Sequence, residues 1–206
     1  MSAISALPAQ SALLPLMSYC LLMSVTPGPN NVMLTASGAR HGYRATLPLM
    51  LGINFGVAFQ TLLACLGLGG LFVLWPQAHD VLRVIGAVYL LWLAWKLGGL
   101  AIAETAPRVQ PPTFWQGVTF QAVNPKSWIK ALTLGSVFMP VDLPVPVAAL
   151  LVTLIGSVIG LPCNSVWALF GVALRGVLHT PARQRAFGLL MGASLAVLAV
   201  KLLAAP

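Results

Sequence analysis

The chain has 206 residues, of which 59% are hydrophobic and only 7% are charged. An ordinary soluble domain carries about 25% charged residues and cannot bury so much apolar surface, so the composition excludes a soluble globular protein. Apolar runs close to the ~20 residues that cross a hydrocarbon core of about 30 Å recur along the whole chain. We therefore expect an integral membrane protein that sits in a lipid bilayer.

The net charge of +8 does not indicate a nucleic-acid partner. Lys and Arg occur singly between apolar runs, and they form neither a basic stripe nor a patch interleaved with aromatic residues. Three cysteines stand in separate apolar runs without a CxxC pair: Cys20, Cys65 and Cys163. Such cysteines are typical of small buried residues rather than of a redox or metal site, so we expect no cofactor and no bound metal.

Apolar windows predict six membrane-spanning helices. Continuous apolar runs lack the alternation of membrane strands, and helices satisfy all of their own backbone groups in lipid. In chain order the spans are Leu13–Ala39, Thr46–Trp75, Val81–Leu100, Phe114–Met139, Pro146–Leu174 and Ala186–Leu203. The first run is not predicted to be a cleaved signal peptide, because no Lys or Arg precedes Arg40. The expected fold is all-α, with residues 1–206 in a single transmembrane domain.

The first span is interrupted by "TPGPNN" at residues 26–31. A proline lacks an N–H group and its ring clashes with the preceding turn, so Pro27 and Pro29 leave backbone groups free, with Gly28 between them. Free backbone groups in hydrocarbon are costly, and unwound backbone is tolerated only where it lines a cavity or packs in protein. A half-helix that begins near Asn30 would aim its partly positive N-terminal amides into such a cavity.

The fourth span contains a second break, "VNPK", at residues 123–126. Asn124 and Pro125 are predicted to face the first break across an inner site. Lys126 falls at the centre of this span, where a lysine costs roughly 2.5–3.5 kcal/mol, and Lys130 follows one turn later on the same face. Two lysines on one face favour a water-filled or anion-binding surface. The alternative is snorkelling to an interface, which would suit Lys130 better than Lys126, and the role of Lys130 stays open.

Uncharged polar residues complete the predicted site. Asn30 and Asn31 follow the first break, and Gln121 precedes the second by one turn. Asn54 and Asn164 occupy the second and fifth spans. Such groups can merely hold helices together, at roughly 0.6–2 kcal/mol each, but their placement on matching helices favours a shared cavity. The full predicted set is Pro27, Gly28, Pro29, Asn30, Asn31, Asn54, Gln121, Asn124, Pro125, Lys126 and Asn164.

Three internal similarities at nearly one offset predict a duplication. The segment "LAWKLGGL" at 93–100 resembles "LAVKLLAA" at 198–205, and Gly52-xxx-Gly56 is matched by Gly156-xxx-Gly160. The two breaks form the third pair. Halves of three spans each, approximately 1–105 and 106–206, must insert with opposite orientations, as in many secondary transporters with inverted repeats. The Gly-xxx-Gly pairs also permit close helix contacts within or between chains, so a homo-oligomer stays open.

Basic residues are concentrated in the odd-numbered loops. Those loops are assigned seven of the eleven: Arg40, Arg44, Lys96, Arg108, Arg175, Arg183 and Arg185. The even-numbered loops and the termini hold only Arg83 and Lys201. Because cytoplasmic loops carry the excess of Lys and Arg, we predict that both termini face outward.

Four segments carry a resemblance to a known family: "TPGPNNVMLTASGARHGYRATLPLMLGINFG", "LRVIGAVYLLWLAWK", "FWQGVTFQAVNPKSWI" and "GSVIGLPCNSVWALFGVALR". Nearly end to end, the chain resembles the LysE/RhtB superfamily of bacterial amino-acid exporters. It looks most like the branch that exports cysteine and O-acetylserine, and the branches for homoserine and threonine, or for leucine, are close. The resemblance implies a non-enzymatic, proton-driven exporter of the bacterial inner membrane. The family's functional residues carry over to Pro27, Gly28, Pro29, Asn30 and the Asn124-Pro125-Lys126 segment.

The predicted pocket chemistry suits a zwitterion such as an amino acid. Backbone amides and Lys126 would receive a carboxylate, while unwound carbonyls and amide oxygens would receive an ammonium group. Proton coupling usually needs an embedded titratable group. The only acids, Asp80, Glu104 and Asp142, are expected in loops. Lys126, Tyr19 or Tyr89 would then have to titrate, or no side chain carries a proton.

Other classes of function have less support in the sequence. A metal-ion or other small-solute exporter of the same architecture is the main alternative, but a metal would need soft or acidic ligands inside the membrane. The three histidines are all expected in loops: His41, His79 and His179. An intramembrane enzyme would need a Ser/His/Asp, paired-Asp or CxxC constellation at membrane depth, and the sequence offers none. A purely structural subunit would not need duplicated breaks.

Overall fold

The computed structural model describes residues 10–68, 76–98, 110–177 and 180–204, and within these ranges the chain is helical and contains no strand. The all-α prediction is confirmed for that part of the chain. The helices are α1 (Gln10–Val25), α2 (Pro29–His41), α3 (Tyr43–Leu63), α4 (Pro76–Gly98), α5 (Phe114–Val123), α6 (Pro125–Val137), α7 (Val145–Leu174) and α8 (Pro181–Ala204). One π-helical turn, Ala64–Leu68, follows α3.

Two segments of the described chain are long and apolar enough to cross a membrane, Tyr43–Gly67 and Val145–Leu174. Shorter apolar helices occur at Leu13–Val25, Val84–Trp95 and Arg185–Val200. Large apolar side chains are exposed along all of these helices, far beyond the patches that a soluble monomer shows. These surfaces suit contact with lipid.

Both predicted breaks are present. The first predicted span consists of α1 and α2, which are separated by Thr26–Gly28, and the fourth consists of α5 and α6, which are separated by Asn124 alone. In each case a proline, Pro29 or Pro125, occupies the start of the second half-helix. A proline is favoured there because its missing N–H would have had no partner and its fixed φ already suits the helix.

The helices pack in four main contacts. Helix α4 lies along α8, and buried residues of both helices form one core cluster with Phe120 of α5. Helix α2 packs against α7, and α3 packs against both α5 and α7. The broken helices are therefore held by α3 and α7, and α4 with α8 forms a second pair beside them.

Glycines allow the close contact between α2 and α7. A Cβ atom added at Gly171 would overlap the backbone carbonyl of Thr35, and one added at Gly38 would overlap that of Ala168. Backbone atoms cannot move aside as a flexible side chain can, so the two helix axes would have to separate. Gly52 and Gly56 likewise allow the close contact of α3 with α5. This Gly-xxx-Gly pair therefore packs helices within one chain.

Gly171→Ala is accordingly expected to lower the thermal unfolding midpoint of the detergent-solubilised protein. Overpacking of this kind costs about 1–3 kcal/mol. The matched control is Gly176→Ala, where the nearest atom to the added Cβ lies at 3.6 Å, an ordinary contact. Equal midpoints for the two variants would show that α2 and α7 do not touch at Gly171.

Several loop predictions are wrong in detail. Arg40 and His41 end α2 and Arg44 lies in the first turn of α3, so Gly42 alone separates these helices. Asp80 and His79 belong to α4, because that helix begins at Pro76, earlier than the predicted Val81.

The predicted second span, Thr46–Trp75, is described only as far as Leu68, and its regular helix is interrupted at Gly67. Gly67 has φ +106°, a conformation that favours glycine and cannot continue a helix, and residues 69–75 lie outside the described ranges. Glu104 and His179 also lie outside them.

Basic side chains gather where α2 and α7 end. Arg175 Nη2 donates a hydrogen bond to the Arg40 carbonyl oxygen at 3.0 Å, and Arg183 Nη1 donates to the Val177 carbonyl oxygen at 3.2 Å. Cations near helix C-termini are favoured by the helix dipole. Burial, and then the charges of Arg40 and Arg175, lower the pKa of the His41 imidazole. The side of the membrane that this end faces stays a prediction.

Candidate functional site

The two helix breaks are in direct contact through Lys126. Its Nζ donates hydrogen bonds to the carbonyl oxygens of Thr26 at 2.5 Å and of Pro27 at 3.3 Å. These are the carbonyls that the first break leaves without helical partners. A lysine from the second break therefore satisfies the backbone of the first one.

Asn31 satisfies the same segment from the other side. Its Nδ2 donates to the carbonyl oxygens of Ser24 at 3.2 Å and of Thr26 at 2.8 Å. The end of α1 is thus closed by one amide from α2 and one ammonium from α6. The unwound carbonyls, which we expected to bind a ligand ammonium, already bind groups of the protein.

A cluster of three side-chain amides joins the breaks in the interior. Gln121 Nε2 donates to Asn30 Oδ1 at 3.0 Å, and Asn30 Nδ2 donates to Gln121 Oε1 at 3.2 Å. Asn124 Nδ2 donates to both of these oxygens, at 2.9 and 3.1 Å. Gln121 and Asn124 are each only 1% exposed. Gln60 of α3 donates to the Gln121 carbonyl at 2.6 Å and extends the network.

We expect Asn30→Ala to destabilise the protein, because it leaves the amides of Gln121 and Asn124 short of partners in a buried place. An unsatisfied buried polar group costs about 1–3 kcal/mol. Thermal unfolding in detergent measures the effect. Thr119→Val is the control, since this exposed hydroxyl of α5 bonds only to carbonyls of its own helix. A midpoint for Asn30→Ala that matches the control would contradict the cluster.

The two half-helices differ at their N-termini. Helix α6 is capped by its own Asn124, whose Oδ1 accepts from the Lys126 N–H at 3.2 Å. Helix α2 starts after Gly28, which supplies no capping side chain. Within the described residues the backbone N–H groups of Asn30 and Asn31 have no acceptor. The uncapped end of α2 is therefore able to receive an anion.

A polar cavity of about 50 Å³ opens beside the breaks, between α1, α2, α3, α6 and α7. It exceeds the space that one water molecule needs. Within the described residues, the side-chain amides of Asn54 and Asn164 have no hydrogen-bond partner, and neither does the buried Thr153 hydroxyl. The lining consists of Met23, Ser24, Gly28, Asn30, Asn31, Asn54, Val57, Ala58, Thr61, Asn124, Lys126, Ser127, Lys130, Thr153, Gly156, Ser157, Gly160 and Asn164.

Most residues of the predicted site line this cavity. Those that do are Gly28, Asn30, Asn31, Asn54, Asn124, Lys126 and Asn164. The other four predicted residues, Pro27, Pro29, Gln121 and Pro125, do not line it. The prolines shape the two breaks, and Gln121 is buried in the amide cluster. Their contribution is to position the lining residues.

Lys130 also lines the cavity, and only 7% of its surface is exposed. Its Nζ donates a hydrogen bond to Ser24 Oγ at 3.3 Å. The side chain turns into the protein, which does not fit the snorkelling alternative. The two tyrosines proposed as titratable groups lie elsewhere: Tyr19 stacks on Phe138, and Tyr89 contacts the rings of Trp92 and Phe120.

Sequence reasoning missed several hydroxyl groups of the lining, notably Ser24, Thr153 and Ser157. Serine and threonine in apolar helices usually bond to a carbonyl of their own helix, so their presence alone gave no signal. The described residues contain no group of three His, Cys, Asp or Glu side chains placed to hold a metal ion. The metal-ion alternative therefore gains no support from this part of the chain.

Comparison with known proteins identifies the family of this chain. The family model described as LysE type translocator matches residues 21–205. The chain belongs to the LysE type translocator family. Among the relatives of this family member is a cysteine/O-acetylserine efflux protein of Klebsiella pneumoniae, 37% identical over 159 residues, which cover 75% of this chain and 79% of the relative. The cysteine/O-acetylserine efflux protein of Escherichia coli K12 is 31% identical over 168 residues, or 81% and 86% of the two chains. No solved structure gives a significant match.

Proposed function

We propose that this translocator exports a small neutral amino acid or derivative from the cytoplasm across a bacterial inner membrane. Cysteine and O-acetylserine are the leading substrates, because relatives that share most of the chain carry those names. Homoserine and threonine are the next candidates from the resemblance. The protein is a transporter and not an enzyme in this proposal, and the proton-motive force drives export.

The observation that carries the proposal is the junction of two broken helices beside a polar cavity. In this family member, the substrate carboxylate binds the free N–H groups of Asn30 and Asn31 at the positive end of α2. Lys126 has three N–H donors and uses two of them on backbone carbonyls, so the third is available to the same carboxylate.

The substrate ammonium binds on the opposite wall. The side-chain oxygens of Asn54, Asn164 and Thr153 are unpaired within the described residues, and each of them can accept from an ammonium group. A cavity of about 50 Å³ favours a short side chain, and the absence of an acid in its lining disfavours basic amino acids.

The packing of the helices supports an inverted repeat of six spans. Helices α1 and α2 of the first half pack on α7, and α5 and α6 of the second half pack on α3, which is the contact that a two-fold exchange of halves would produce. The pair α4 and α8 maps onto itself under that exchange. Both termini face outward in this arrangement, and the basic end near Arg40 and Arg175 faces the cytoplasm.

Counterflow in proteoliposomes tests the proposed substrate class. Vesicles loaded with unlabelled cysteine or O-acetylserine are expected to take up the labelled compound faster than empty vesicles do. Homoserine and threonine should compete, whereas lysine and glutamate should not. Vesicles that contain the Lys126→Ala variant serve as the inactive control. Uptake that no neutral amino acid competes for would refute the proposal.

A further inference from the structure

Lys130 combines deep burial with a single weak partner. It is 7% exposed, and its only hydrogen bond among the described residues goes to Ser24 Oγ at 3.3 Å. Ser24 in turn donates to the Cys20 carbonyl oxygen at 2.7 Å, so its hydroxyl oxygen is free to accept from Lys130. One hydroxyl compensates poorly for the water that a buried ammonium group has lost.

No described carboxylate is available to neutralise Lys130. The chain contains three acids, of which Asp142 lies in the connection between α6 and α7 and does not line the cavity. Asp80 belongs to α4, which contributes no described residue to the lining. Glu104 lies outside the described residues. The titratable groups that face Lys130 are Lys126 on its own helix, Cys20 on α1 and Cys163 on α7, and α3 presents only neutral groups such as Thr61.

The two lysines of the cavity are held differently. Lys126 donates to two backbone carbonyls and fixes the contact between the breaks. Among the described residues, Lys130 binds neither a carbonyl oxygen nor a carboxylate. None of its partners therefore requires the amine to keep a permanent positive charge. The loss of one proton would turn it into a neutral amine that Ser24 can still satisfy by a hydrogen bond.

We propose that Lys130 is the proton carrier of this transporter, an inference that rests on the proposed export function. Its amine takes one proton from the outer water and becomes an ammonium, and it releases that proton to the cytoplasmic water in the opposite state. One zwitterion leaves the cell as one proton enters. Only the N–H bond at Nζ forms and breaks, so the exchange is balanced without another reactant.

Repulsion between like charges supplies the coupling. Lys130 and the proposed ammonium sites at Asn164 and Thr153 line the same small cavity, where charges are poorly screened. The substrate ammonium and the Lys130 ammonium therefore do not occupy the cavity together. Substrate binding expels the proton, and proton binding expels the substrate, which is the condition for antiport.

The test compares two assays on the same proteoliposomes. Counterflow measures substrate exchange and needs no net proton movement, whereas accumulation driven by an acidic vesicle interior requires coupling. A pH-sensitive dye inside the vesicles reports protons that leave as substrate enters. Wild-type protein is expected to show counterflow, accumulation and the dye signal.

Lys130→Gln is expected to keep counterflow, to lose accumulation and the dye signal, and to exchange substrate at a rate independent of pH. Retained accumulation in this variant would overturn the proposal. Lys130→Arg is expected to lose counterflow as well as accumulation, because arginine keeps the cation permanently and that cation excludes the substrate ammonium. Counterflow or pH-driven accumulation by Lys130→Arg would overturn the proposal. If Lys130→Gln loses counterflow, Lys130→Met decides, because it keeps the apolar stem without a charge: recovery of counterflow alone supports the proposal, and its loss in Lys130→Met too would overturn it.

A different result is expected if the proposed export function itself is wrong. The wild-type protein would then show no counterflow of any neutral amino acid. Wild-type counterflow without pH-driven accumulation leaves the export function intact and refutes the proton carrier. Ser136→Ala, an exposed hydroxyl of α6 that bonds only to its own helix, is the matched control and should behave as wild type in both assays.

Discussion

Lys126→Ala is expected to abolish export while the protein remains in the membrane. The substitution removes the only side chain that donates to the Pro27 carbonyl oxygen among the described residues, and it removes a positive charge from the proposed carboxylate site. A hydrogen bond to a charged group contributes about 1.5–3 kcal/mol, which corresponds to a loss of about 10–100-fold in substrate affinity. The substitution also removes the Lys126 donor from the carbonyls of the first break. Because the break is then no longer fixed in one geometry, substrate affinity falls further.

Two controls separate the charge from the packing of this lysine. Lys126→Met keeps most of the apolar stem and is expected to be as inactive as Lys126→Ala. Ser136→Ala, on an exposed part of the same helix, should export normally. Membrane content is measured by immunoblot and transport by counterflow. Normal export by Lys126→Ala would remove this lysine from the site.

Gly28→Val is expected to block transport by displacing Lys126. An added Cβ atom would lie 2.8 Å from Lys126 Cδ and 3.1 Å from its Nζ, closer than such atoms approach. The backbone of Gly28 is extended, with φ −172° and ψ 179°, so valine adopts it without strain. The defect is therefore expected to arise from the contact with the lysine and from the space that valine takes in the cavity, which Gly28 also lines. Because that lysine is flexible, the fold should survive.

A double variant distinguishes this cause from a general disturbance. When Lys126 is already alanine, the added side chain at position 28 has less to displace, so Gly28→Val should change the thermal unfolding midpoint less in the Lys126→Ala background than in the wild-type chain. Residues in contact show such non-additivity. Gly176→Ala, which meets no close atom, should transport as wild type does. Full activity of Gly28→Val would place Lys126 away from the first break.

The positions of both breaks could be predicted from the sequence because proline acts locally. Pro29 and Pro125 start the second half-helices, and the unwound residues are those just before them. The residue types that favour or forbid a helix depend on a few neighbours in the chain. The same local signal explains why the predicted helices agree with the described ones to within a few residues at most ends.

The partners of the polar groups could not be predicted in the same way. Gln121 was expected to line the cavity, yet it is buried against Asn30, more than ninety residues earlier in the chain. Asn31 was expected to face a ligand, and its amide binds carbonyls of α1 as well as lining the cavity. Which neighbour satisfies a buried amide depends on the tertiary contact of α2 with α5, and spacing in the sequence does not encode that contact.

The burial of Lys130 could not be predicted from the sequence. A lysine near the end of an apolar span is compatible both with snorkelling and with burial, because helical periodicity places it on the face of Lys126 but does not give the depth of that face. Only the packing of α6 against α3 and α1, with the hydrogen bond from Lys130 to Ser24 of α1, shows that this face is the interior one.

The binding site between the two broken helices is tested most directly by asking whether substrate protects a single cysteine in the cavity from alkylation. Ser157 lines the cavity and makes no hydrogen bond among the described residues, so Ser157→Cys is introduced into a transport-competent chain in which Cys20, Cys65 and Cys163 are alanine. The rate of alkylation at position 157 is predicted to fall as O-acetylserine or another transported amino acid saturates the protein. A cysteine at the fully exposed Val141 should react at an unchanged rate. Undiminished alkylation at position 157 under saturating, transported substrate would contradict a binding site between the two broken helices.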